Sequence, residues 1–249
     1  MILYVNGDSH SAGAETANVF CFAEDDPLLW AMGRQPHPDN LKLSYGCSIA
    51  NKLMAILECD AESASSNTRI LRTTQEYLKN NTPDLVIIGW STWEREEWLH
   101  DGVYYQVTSG GSDTVPAELA DYYKAWVIAQ DSIAREAKML KWHKEIYKLH
   151  LDLEEKKIPH VFFNAYSNFV AIKKGQITTH NQKPGEPIEC FDWGDSYVGP
   201  YDHDLTYYYW LENKGFKPVN PKSYHHGADA HEAWSEFIFQ NYVQKVLTN

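Results

Sequence analysis

The sequence predicts an α/β protein with a mostly parallel sheet, on two observations. Short β-branched or apolar runs bounded by chain breakers recur at residues 2–5, 84–89 and 161–164, with helical spacings between them. The middle run, Asp84-Leu85-Val86-Ile87-Ile88-Gly89, is apolar without alternation, as a parallel strand buried on both faces should be. Strands alternating with helices then imply an α/β sandwich.

The elements follow in order. Residues 2–5 form a strand that empties into Asn6-Gly7-Asp8, a breaker cluster. Residues 48–57 place Ile49, Leu53, Ile56 and Leu57 at helical spacing behind a serine cap. A second helix follows Asn67, carries Ile70, Leu71, Thr74, Tyr77 and Leu78, and ends at Asn80-Asn81 before Pro83. After the central strand, a Gly- and Tyr-bearing stretch at about 98–113 reads as irregular. Pro116 then suits a helix start, and helical pattern continues with one break to about Lys157. Val161-Phe162-Phe163-Asn164 is the third strand, and a last helix runs from about Asp229 to Leu247. No repeat or linker divides the chain, so one domain over 1–249 is expected, with irregular aromatic-rich insertions at about 93–115 and 167–222. A long irregular segment in a compact domain is usually functional.

Composition narrows the partners. The chain has 249 residues, enough for a full core, and a net charge of −12 without a basic run, which opposes binding to nucleic acid or to an anionic membrane. No apolar run approaches the ~20 residues of a membrane span, and the first residues lack the charged and small-residue marks of a signal peptide. A cytoplasmic protein is expected. Cys21, Cys47, Cys59 and Cys190 are too few and too scattered for a disulfide framework, and read as reduced thiols. The 9 Trp and 16 Tyr exceed what the core needs, so some of these rings are expected to line a binding surface.

Ligands of open parallel sheets sit at the carboxyl ends of the strands. The residues there are Asp8-Ser9-His10, Ser65-Ser66-Asn67, Trp90-Ser91-Thr92, and the loop Ser223-Tyr224-His225-His226-Gly227-Ala228-Asp229-Ala230-His231. A hydroxyl on a tight turn, nearby amide donors and a late histidine are the parts of acyl-transfer chemistry. Gly7-Asp8-Ser9 after an N-terminal strand, with a His-rich loop before the C-terminal helix, resembles the SGNH/GDSL hydrolases. More narrowly, Asn6-Gly7-Asp8-Ser9-His10-Ser11-Ala12-Gly13, Ser66-Asn67-x-Arg69-Ile70 and Ile88-Gly89-Trp90-Ser91-x-x-Glu94-Arg95 resemble the SGNH-like proteins of tailed phages. The resemblance implies a three-layer α/β/α sandwich with a flavodoxin-like sheet, and a serine esterase acting on a small-molecule or glycan ester without a metal or organic cofactor. Ser9 corresponds to the nucleophile, whose amide joins the oxyanion hole, and His225 to the base, with His226 its competitor. A phage origin would add virion components as partners and the virion as location.

The sequence departs from that pattern at three places. Ser91 stands where the family's third block has its oxyanion asparagine, the second-block glycine falls near Ala64 or Ser65, and Asn67 is expected to supply the missing amide. The acid normally three residues before the histidine is absent, since Lys222 and Ser223 occupy the region. Asp202, Asp204 or Asp229, or a backbone carbonyl, would have to orient the imidazole. Asp8 and Ser91 are expected in the catalytic set; His10 is expected in the substrate-binding set with Trp90, Trp93, Trp193, Tyr197 and Tyr201, rings that overhang the nucleophile. Blander readings stand beside these. Gly-Asp-Ser is a common turn, His231 packs or caps its helix, Trp90, Trp93 and Trp98 cover the sheet edge, and His225, His226, Asp229 and His231 form a possible metal set. The competing function is a catalytically eroded SGNH-fold glycan-binding or virion structural protein.

Overall fold

The computed structural model describes residues 1–21, 35–109, 115–172 and 188–248. Its central sheet joins β1 (Ile2–Asn6), β2 (Ile56–Cys59), β3 (Leu85–Trp90) and β6 (His160–Asn164) in the order β2-β1-β3-β6, all parallel. Side-chain alternation assigns each strand residue to a layer. Leu3, Val5, Leu85, Ile87, Val161 and Phe163 meet α2 (Tyr45–Leu53), α6 (Tyr207–Asn213) and α7 (Ala228–Ile238) through Tyr45, Ile49, Leu211 and Trp234. Tyr4, Val86, Ile88 and Phe162 meet α3 (Asn67–Leu78) and α5 (Ser132–Glu155) through Ile70, Met139, Trp142 and Ile146. The architecture is a sandwich of helices on both faces of a parallel sheet, as expected. Beyond β6 a single bridge between Phe162 and Tyr197 occupies the place of a fifth strand.

Three local expectations are corrected. The helix expected at 48–57 begins earlier, at Tyr45 behind the Ser44 cap, and stops at Leu53, because Met54 turns left-handed at φ 52°. Ile56 and Leu57, read as its apolar stripe, instead form β2 beside β1. The stretch read as irregular at 98–113 contains an antiparallel hairpin of β4 (Glu96–His100) and β5 (Val103–Val107). Its turn is Asp101-Gly102, both at positive φ (48° and 78°), the sequence pair that favours a two-residue hairpin. The helical stretch from Pro116 breaks as expected, into α4 (Ala120–Ile128) and α5, the latter capped by Asp131. The irregular insertions run in part through 110–114 and 173–187, outside the described residues. No described helix is long and apolar enough to cross a membrane.

The chain passes from β1 outward to β2 and then back across to β3, so the carboxyl ends of β1 and β3 flank a crevice where the winding reverses. α1 (Pro38–Leu41) lies near it and matters through one buried residue, Asn40.

Candidate active site

β1 ends at Asn6, whose amide donates to Ile70 O and to the hydroxyls of Thr73 and Thr74, and whose Oδ1 accepts from Gly7 N. This anchors the strand end on α3. Gly7 then turns with φ 154°, and a Cβ there would lie 2.1 Å from Ser11 Oγ and 2.8 Å from Gly89 O. Gly89 is equally constrained, since its Cβ would lie 2.6 Å from Ser11 Oγ and 2.7 Å from the Phe163 ring. The two glycines admit Ser11, whose Oγ accepts from Tyr45 Oη at 2.7 Å. The turn closes through Ala12 N to Asp8 O and Ala14 N to Ser9 O. Ser9 thus sits on a tight strand-to-loop turn at the carboxyl edge of the sheet, 7% exposed. Among the described residues its amide N–H meets no acceptor.

Ser9 Oγ donates to His225 Nε2 at 2.8 Å, and His225 Nδ1 donates to Glu15 Oε2 at 2.5 Å. The same Glu15 oxygen accepts from Ser223 Oγ at 2.5 Å, and Ser223 Oγ accepts in turn from His225 N. The carboxylate that meets His225 is Glu15, not the expected Asp202, Asp204 or Asp229. Asp202 and Asp229 accept from Asp204 N and Ala230 N, within their own turns. A serine, a histidine and a carboxylate joined in this order form a relay in which an acid can orient an imidazole and the imidazole can accept a serine proton. The hydrogen bond from His225 holds the Glu15 carboxyl below its usual range despite partial burial, with Ser223 adding to the effect. Glu15 is therefore ionised at neutral pH.

Glu15 reaches this position because the chain after Ser9 folds back. Gly13 and Glu15 both adopt positive φ, 69° and 62°. Asn40 of α1 then staples the loop, accepting from Ala17 N and Asn18 N and donating to Phe20 O. A non-glycine residue in this conformation stores strain that the surrounding bonds must hold. Sequence reasoning missed Glu15 because it sought the acid near the histidine. The available signal was that Glu15 is the sole acidic residue among 9–23, inside a run of small residues.

His225 rather than His226 faces the serine. His226 is fully buried, neither ring nitrogen has a partner among the described residues, and its ring lies beside Tyr207 and Tyr208. Burial, then the nearby His225, lowers its pKa to about 4. Adjacent residues in the extended segment point to opposite sides, so only one of the pair reaches Ser9. His231 accepts from Tyr45 N and bonds Tyr207 Oη, pinning α7 to the start of α2. With Asp229 turned onto Ala230 N, the four residues His225, His226, Asp229 and His231 do not converge as a metal set. Glu15, Cys21 and His225 do bring donor atoms within 4.8 Å, but two of those three side chains already form the relay. Burial, followed by the charge of Glu15, raises the Cys21 thiol to about 11.

The second and third blocks interlock. Asn67 Oδ1 accepts from Ser91 N at 2.8 Å and Asn67 Nδ2 donates to Ser91 O at 3.1 Å, so this amide grips the backbone after β3 and keeps one N–H in reserve. Ser91 does not replace the expected oxyanion asparagine, because its one hydroxyl proton goes to Asp8 Oδ2 at 2.9 Å. Asp8 also pairs with Arg95 at 3.4 Å and caps His10 N, so both its carboxylate oxygens are engaged in fixing the turn. Arg95 donates to Ser91 Oγ at 2.9 Å and ties the set together. His10 lies edge-on to His225 with ring centroids 5.3 Å apart and is enclosed by Tyr166 and Tyr207. Burial, then the neighbouring His225, holds its pKa well below the usual histidine value.

The aromatic platform is corrected. Trp90, Trp93, Trp193 and Tyr197 are buried in the layer between the sheet and α5, with Phe162 and Phe169. Tyr201 is half-buried against His143 and Trp193, its hydroxyl bonded to both. Trp90 is the last residue of β3 and alternates inward, and Trp193 and Tyr197 close the sheet edge beyond β6. The aromatic excess is largely a packing feature, and Trp90, Trp93 and Tyr197 offer no exposed face to a ligand.

No family model matches the sequence, and no curated protein matches it. A solved structure of an acetyl xylan esterase (Est2A) from the rumen bacterium Butyrivibrio proteoclasticus resembles this chain at 12% identity and a TM-score of 0.36. The match covers 99% of this chain and 62% of that one, and so loose a likeness carries no argument about fold or activity.

Proposed function

We propose that the chain is a serine hydrolase of the SGNH type that cleaves an acyl ester, with Ser9 as nucleophile, His225 as general base and acid, and Glu15 as the orienting carboxylate. The observation that carries this reading is the continuous relay from Ser9 Oγ through His225 to Glu15, at 2.8 and 2.5 Å. A solvated surface serine has no reason to sit against an imidazole whose other nitrogen is held by a carboxylate. Within hydrogen-bond reach, such a base activates the hydroxyl at neutral pH.

In the forward step Ser9 Oγ attacks the ester carbonyl while His225 Nε2 takes its proton. The tetrahedral oxyanion is received by the Ser9 amide and the reserve N–H of Asn67. Collapse breaks the bond to the alcohol oxygen, to which His225 returns the proton. Water then attacks the acyl-enzyme with the same base, and releases the carboxylic acid and Ser9. Glu15 stays ionised throughout and stabilises the imidazolium.

Ser91 at the third-block position favours a second reading, an eroded binding or virion protein, because its hydroxyl is spent on Asp8. One assay separates the two. Hydrolysis of a short-chain nitrophenyl ester that disappears in Ser9→Ala supports the hydrolase; no turnover of short, medium and acetylated-sugar esters by the wild-type protein supports the binder.

A further inference from the structure

A second cluster lies at the opposite, amino-terminal end of the sheet. His150 and Glu154 are four residues apart on α5 and therefore share one helix face, while His160 opens β6. Together with Asp192 they line a cavity of about 790 Å3 closed by Tyr147, Trp193 and the 192–196 turn. His150 Nδ1 and His160 Nε2 face each other at 2.8 Å, and the three side chains bring one donor atom each within 4.8 Å of one another. Both imidazoles are buried, whereas the Glu154 carboxylate is exposed, 4.0 Å from His160 Nδ1.

We propose that His150, His160 and Glu154 form a binding site for a divalent late transition ion of the zinc class, separate from the relay at Ser9. Two imidazole nitrogens with one carboxylate oxygen are the donors such ions prefer, with room left for water or Asp192 as a fourth ligand. His160 Nδ1 donates to Ile158 O at 2.9 Å, which fixes the tautomer and aims the Nε2 lone pair at His150. Metal-binding histidines are typically held by a bond of this kind. In the metal-free protein a proton of His150 lies between the two nitrogens. The ion takes its place, that proton moves to His150 Nε2 through solvent, and neither imidazole changes charge. Metal–nitrogen bonds of about 2.0–2.1 Å in a tetrahedral site need the nitrogens about 3.3 Å apart, an opening of about 0.5 Å from the present contact. Such an ion would tie the end of α5 to the start of β6 across their short connection.

The test is calorimetric titration of chelator-stripped, untagged protein with Zn2+, alongside the spectrum of its Co2+ form. The site predicts one Zn2+ per chain, binding lost in His150→Phe, weakened at least about tenfold in Glu154→Ala and kept in Cys21→Ser. The Co2+ form should show tetrahedral d–d bands without a thiolate charge-transfer band. This spectrum is read on the wild-type protein and does not depend on the stability of the variants. Absence of Zn2+ binding, full binding in a folded His150→Phe, or a thiolate band with loss of binding in Cys21→Ser would overturn the assignment.

Discussion

Replacing Glu15 by Gln removes one charge and changes little else, so it isolates the part of the relay that sequence reasoning did not find. In the native site Glu15 Oε2 receives His225 Nδ1 and Ser223 Oγ at 2.5 Å each. With charge centres about 4 Å apart and an effective dielectric near 20, the carboxylate stabilises the imidazolium of the transition state by about 4 kcal/mol. At about 1.4 kcal/mol per decade this corresponds to about a 1,000-fold fall in kcat. If the glutamine turns its NH2 toward Nδ1, the proton is forced onto Nε2, His225 can no longer accept from Ser9, and the loss approaches about 10,000-fold. KM should move little, because Glu15 stabilises charge that develops only after binding. Steady-state hydrolysis of a nitrophenyl ester, with thermal melting as a folding control, reads both parameters. A folded Glu15→Gln protein with kcat within tenfold of wild type would refute the relay, and so would an equal loss in Asp202→Asn or Asp229→Asn.

His225→Ala should abolish turnover while His226→Ala mainly lowers stability; the reverse ranking in paired kinetic and melting measurements would show that the loop register is misassigned. Trp90→Ala should cost about 3–5 kcal/mol in denaturant unfolding as a buried large-to-small change. Trp90→Phe should cost far less, because it also removes an indole N–H that is buried without a partner among the described residues; greater damage to substrate affinity than to stability would restore a ligand-binding role. Stability should fall as pH drops from 6.5 toward 4. His143, His160 and His226 are lowered to about 4 and His231 to about 3, mainly by burial, so over this interval the unfolded chain binds protons that the folded one refuses. The depressed Glu15 adds a loss only at still lower pH, as it protonates in the fold. Urea midpoints unchanged between pH 7 and pH 4.5 would contradict the burial of these rings.

The sheet was legible where strands are buried on both faces, as at 85–90, because an apolar run without alternation has few other uses. It was not legible at β2, where Ile56 and Leu57 satisfy a helical period and only the left-handed turn at Met54 separates them from α2. Ser9 and His225 could be read because each sits at a fixed place relative to a strand or helix end. Glu15 could not be read the same way. Its reach depends on two positive-φ residues and on Asn40, contacts between segments far apart in the chain that no local pattern encodes. The tryptophans misled for a related reason. Position at the end of a strand fixes where Trp90 lies along the sheet, but the direction of its side chain follows from alternation, and that places it in the core.

Reaction of the protein with a fluorophosphonate, followed by intact mass and peptide mapping, tests the central claim most directly, because it reads the activated serine without knowledge of the substrate. The relay predicts one adduct per chain, on the peptide containing Ser9, absent from Ser9→Ala and strongly slowed in His225→Ala and Glu15→Gln. A folded wild-type protein that forms no adduct, or forms it on another residue, would contradict the claim that Ser9 is an activated nucleophile.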